Sequence, residues 1–73
     1  MTVRRWTAFD ATMVAEGQDE LAGFGVGELS EEDRLSAWQY LVDTGLAWSL
    51  QGSFGRTARH LIEQGLIHGG ANA

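Results

Sequence analysis

Apolar positions keep clear helical spacing in the second half of the chain, whereas in the first half periodicity does not settle the structure. From Ser30 onward, Leu35, Trp38, Leu41 and Val42 recur at steps of three and four, so they share one helical face. Ala58, Leu61 and Ile62 form a second such stripe. Both stripes end in the same way: Leu41-Val42-Asp43-Thr44-Gly45-Leu46-Ala47 and Leu61-Ile62-Glu63-Gln64-Gly65-Leu66-Ile67. In each, an apolar pair faces the core, one acid follows, a glycine turns the chain left-handed and an apolar residue clamps the turn. The two phrases therefore read as helix C-termini, and their likeness as convergent punctuation. No further repeat supports a solenoid.

Ser30-Glu31-Glu32-Asp33 opens the first of these helices. It has the serine and the acid three residues later of a capping box, and three acids where the helix dipole favours them. Between the two stripes, Leu46, Leu50, Phe54 and Ala58 keep i, i+4 spacing. One continuous helix fits that spacing. A short helix ending at Gly52, with Ser53 capping the next, fits the glycines. The expected fold is mainly α: a single small domain of two to three short helices over about 30–44, 46–52 and 53–64, in a helical core spanning 30–67.

Residues 1–29 read as an arm and a Gly-rich connector. Trp6, Phe9, Met13 and Ala22 line one helical stripe, with Asp10 near a start. Thr7, Thr12 and Val14 favour strand, and Gly17 costs a helix interior about 1 kcal/mol. The expectation is a helix or irregular arm packed by Trp6 and Phe9. Gly23-Phe24-Gly25-Val26-Gly27 reads as a flexible connector. Its spacing is not the dinucleotide fingerprint, and Glu28, Glu31, Glu32 and Asp33 beyond it repel phosphate. Residues 68–73 are expected to fray.

Composition narrows the classes. With 73 residues, the chain buries a limited core and is marginal alone or gains stability from a partner or from itself. It has no Cys, hence neither disulfide nor thiolate zinc site. Residues 1–33 carry eight acids against two bases, and residues 34–73 two acids against three bases, for a net −5. The acidic front disfavours general nucleic-acid affinity and suits a basic protein surface. No apolar run approaches the ~20 residues that span a bilayer, and no signal-type apolar stretch follows Arg4 and Arg5. A cytoplasmic protein with no membrane partner is expected. All five basic residues are Arg, which with the many Ala and Gly points to a GC-rich coding source.

Candidate chemistry is sparse. Arg56, Thr57, Arg59 and His60 after a tight turn resemble a helix-turn-helix reader, though two arginines are few. His60 and Glu63 lie three apart, a possible metal or acid–base pair, with His68 and Asp43 the nearby further ligands. A solvated helix face explains that pair better. No nucleophile motif is present, so no enzyme activity and no cofactor are expected. Three Trp, three Phe and Tyr40 are more aromatic surface than so small a domain hides. Trp38 shares a core stripe. Tyr40 and Trp48 lie off theirs, so the expected partner-binding residues are Tyr40, Trp48 and Phe54, with Arg56 and Arg59 at the rim.

The segment Ala37-Trp38-Gln39-Tyr40-Leu41, Asp43-Thr44-Gly45-Leu46-Ala47-Trp48, Leu50-Gln51-Gly52 and Phe54-Gly55-Arg56-Thr57-Ala58 resembles a family of very short uncharacterised proteins encoded by mycobacteriophages and other actinobacteriophages. Similar proteins often carry an aromatic after the Leu-Gln-Gly, where this chain has Ser53. The resemblance implies a small phage product made in an actinobacterial cytoplasm. The expected function is a non-enzymatic interaction protein that binds and modulates a host protein. A helix-turn-helix DNA regulator and a self-assembling or virion-associated protein are the alternatives.

Overall fold

The computed structural model describes residues 5–50 and 52–69. Among these, the chain forms α1 (Ala8–Ala15), a 3-10 helix (Asp19–Ala22), α2 (Glu31–Asp43), α3 (Leu46–Ser49) and α4 (Gly52–Glu63), with no strand. The mainly α architecture is as the sequence pattern required. No helix among the described residues is long and apolar enough to cross a membrane.

The arm resolves to helix despite its β-branched residues. Thr7 is the N-cap, its hydroxyl accepting the Asp10 N–H at 3.1 Å, and Asp10 occupies the first turn. Gly17 does not interrupt α1; it ends it, at φ +80°, with its N–H on the Val14 carbonyl and the Gln18 N–H on the Met13 carbonyl. Ala11 and Val14 are the buried side of α1. Phe9, expected to pack the arm, is instead 58% exposed. The anchor is Trp6. Its indole N–H donates to Ser36 Oγ at 2.9 Å, and its ring lies tilted on Phe24 with centroids 6.0 Å apart. Phe24 therefore packs against the core, while Val26 of the Gly-rich stretch stands almost fully in solvent.

Arg34 of α2 donates through both terminal nitrogens to the two carboxylate oxygens of Asp19, tying the 3-10 helix to the centre of the fold. The hydrogen bond to Asp19, aided by its charge, holds the guanidinium above its ordinary pKa in spite of the opposing desolvation.

α2 is the central element, contacting α1 and α3, while α3 contacts α4. The capping box is complete: Asp33 N–H donates to Ser30 Oγ, and Ser30 N–H to Asp33 Oδ2. Leu41 is fully buried, and Val42 nearly so. Leu35 and Trp38 are partly buried against the same core. Four alanines (Ala11, Ala37, Ala47, Ala58) have no exposed surface at all, which lets the helices approach closely.

The two repeated phrases do end helices. Gly45 and Gly65 take φ +82° and +75°, a region that only glycine enters without strain. Their N–H groups bond to Val42 and Ile62 carbonyls. The closures then differ. Leu66 N–H completes the second by bonding to Leu61 O, whereas at the matching Leu41 O the Thr44 hydroxyl donates instead, at 3.3 Å.

The break between the two stripes falls earlier than the glycines suggested. Leu50 turns extended at ψ −174° after α3, and Gly52 begins α4 rather than ending a helix. Ser53 lies inside the first turn and is not the cap. At the C-terminal end, Gln39 fixes His68 on both sides: His68 N–H donates to Gln39 Oε1 at 2.7 Å, and Gln39 Nε2 donates to His68 O at 3.0 Å. With Ile67 buried, the expected frayed tail does not include His68, while residues 70–73 lie outside the described residues.

Candidate docking groove on α4

The molecule measures 31 × 27 × 18 Å, so its thin dimension holds only about two helix layers. Three indoles cannot all be hidden in such a slab, and they divide unequally. Trp6 and Trp38 pack against the core, whereas Trp48 is 39% exposed.

Trp48 projects from the four-residue α3, which ends at the extended Leu50, toward α4, which begins at Gly52. Its ring edge lies over Gly55: a Cβ built there would be 3.6 Å from Trp48 Cε3. The indole forms one wall of an open groove of about 480 Å³ lined by Gly52, Gly55, Arg56, Arg59, His60 and Glu63. Residues 52, 56, 59 and 63 recur at helical steps and form one face of α4. Its opposite face buries Phe54 and Ala58. Arg56 and Arg59 are exposed and form no ion pair among the described residues. Asp43 accepts from Gln39.

Of the five expected docking residues, the fold brings Trp48, Arg56 and Arg59 together. Phe54 is removed from the surface. It is 8% exposed and packs its ring on Trp38, centroids 5.6 Å apart. Tyr40 is half-buried against the core and is not among the groove's lining residues. The i, i+4 spacing that Phe54 shares with Leu46, Leu50 and Ala58 is the spacing of a core stripe, and α4 turns Phe54 inward. Gly52 and Gly55 read locally as helix breakers. Had α4 been started at Gly52, the steps to 55, 56, 59 and 63 would have marked them as one face.

The groove offers two guanidiniums, an indole and bare backbone, a combination suited to recognition. His60 Nε2 is hydrogen-bonded with Gln64 at 2.9 Å. Among the described residues, no group of three or more His, Cys, Asp or Glu is placed to hold a metal ion.

Fold and groove together define a small helical domain whose distinctive surface is one cationic, aromatic helix face. The chain belongs to a family defined as a domain of unknown function (DUF7417), whose model matches residues 11–73. No curated protein and no solved structure matches it.

Proposed function

We propose that this protein is a non-enzymatic phage product that binds and modulates a host protein in an actinobacterial cytoplasm, docking through the α4 groove with Trp48 as its anchor. The observation that carries this reading is the exposed indole beside Arg56 and Arg59, which form no ion pair among the described residues. Trp and Arg are the residue types that most often dominate binding energy at interfaces. The acidic front half adds steering toward a basic patch on the same partner. The resemblance of residues 37–67 to actinobacteriophage proteins supports the setting.

The test is affinity capture of the tagged protein from actinobacterial lysate, read by mass spectrometry beside Trp48→Ala. One host protein enriched by the native chain and lost with the variant is the expected result. Equal recovery by both sinks the Trp48 assignment.

The exposed arginines of α4, following a short helix and a tight turn, favour one alternative, a DNA-binding regulator. It requires steeply salt-dependent DNA binding that Arg56→Ala and Arg59→Ala abolish. Recovery of the bait alone, with a discrete oligomer in light scattering, favours the self-assembling reading.

A further inference from the structure

We propose that the occupant of the α4 groove is an acidic helical segment of the partner, with carboxylates one turn apart and an apolar side chain seated on Trp48. This rests on the reading of Trp48 as the partner's anchor and adds the chemistry of what it meets.

Three observations converge. Arg56 and Arg59 stand one helical turn apart on one face and lack ion-pair partners among the described residues. Carboxylates at i and i+3 or i+4 on a facing helix match that spacing, and guanidinium–carboxylate pairs are the stronger class of hydrogen bond. The two arginines outnumber Glu63, so the groove is a cationic corner of a molecule with net charge −5.

The third observation is the floor of the groove. A Cβ at Gly52 would meet nothing within 4 Å, and one at Gly55 only ordinary contacts with Trp48 and the Ala47 carbonyl. Neither glycine takes positive φ. The fold therefore needs neither, although glycine is a poorer helix former than alanine. Gly55 is already covered by the Trp48 ring, but at exposed Gly52 the missing Cβ leaves bare backbone against which a second helix can approach closely. A partner with an acidic helix beside a basic patch meets both ends of this molecule: the helix in the groove, the patch at the acidic front.

The experiment is an NMR titration of the ¹⁵N-labelled full chain with a synthetic amphipathic helical peptide carrying Glu pairs one turn apart and Leu on the opposite face. A Lys-for-Glu peptide is the control. The Glu peptide is expected to shift the Trp48 indole signal and the α4 amides, and to bind about tenfold more tightly than the Lys peptide, the difference shrinking with salt. Joint Arg56→Glu and Arg59→Glu substitution is expected to invert the preference. Gly52→Ala is expected to raise Tm by roughly 3–6 °C while weakening the Glu peptide several-fold, which separates the groove's role from folding.

Equal affinity for the two peptides, or unchanged binding by a stabilised Gly52→Ala, overturns the proposal. So does self-association through the Trp48 face, which makes a second copy the occupant. Trp48-dependent host capture combined with no charge preference removes the acidic helix and leaves the host-binding reading standing. Peptide selectivity without any host capture does the reverse.

Discussion

The arm, residues 5–29, and the helical core, residues 30–67, are held by different physics. In the core, α2, α3 and α4 meet through fully buried Leu41, Ala37, Ala47 and Ala58, with the Trp38–Phe54 ring pair between them. The arm buries Ala11, Val14 and Leu29, and then relies on two polar cross-links to α2, Trp6 to Ser36 and Asp19 to Arg34. It leaves Phe9, Leu21 and Val26 largely exposed. Partly exposed ion pairs contribute about 1 kcal/mol or less, so the arm's attachment depends on a few apolar contacts. The arm is therefore expected to open at lower free energy than the core it covers.

Leu41→Ala tests what the regions share. Removing the largest fully buried side chain costs about 2–5 kcal/mol, enough to unfold a domain this small. Urea unfolding followed by circular dichroism is expected to show arm and core lost together. Trp6→Ala separates them. It removes the Phe24 contact and the Ser36 hydrogen bond, for a loss of about 2 kcal/mol given partial burial. Hydrogen exchange is expected to accelerate over residues 8–22 and to stay slow in α2 and α4. Acceleration throughout would mean that the arm is part of the core.

Ser30→Ala probes the joint between the regions. Losing the capping box costs about 1 kcal/mol, read as a lower Tm without a change in the α4 groove. Asp19→Asn has the smallest effect, below about 1 kcal/mol, because Arg34 is 43% exposed. A raised guanidinium pKa contributes stability that is fully present below the ordinary arginine pKa and lost only above the raised one. Salt, rather than pH across the neutral range, is thus the variable that tests the arginine side of this pair. Added salt is expected to shrink the Asp19→Asn effect toward zero.

How much was legible in the sequence follows the range of the interactions. The Ser30 cap, the Gly45 and Gly65 ends and the Leu41 face depend on residues within one or two turns, and all were readable. Gly17 carried the same signal as Gly45 and Gly65. Thr7, Thr12 and Val14 pull the local pattern toward strand, yet a threonine that disfavours a helix interior is a good N-cap. The start of α4 at Gly52 is hard to read locally because glycine is a weak helix former.

The groove was half legible. Trp48, Arg56 and Arg59 stood out by type, since an exposed indole and arginines on a helix are visible in the spelling. Phe54 belongs to the same short segment and by type alone groups with them. Which face of α4 turns inward is decided by where α3 ends, and that turn lies at Leu50, where no glycine or proline marks it.

By itself, then, the sequence determined a small all-helical domain with its caps, its glycine ends and its charge asymmetry, because each of these is settled by neighbours along the chain. Only the tertiary structure decided that Trp6 rather than Phe9 anchors the arm, that Gln39 clasps His68, and that Phe54 is core while Trp48 lines a groove. Those outcomes depend on contacts between residues 6 and 36, 39 and 68, and 38 and 54. Pairings so far apart in sequence are selected by mutual burial and hydrogen-bond geometry, which no local pattern encodes.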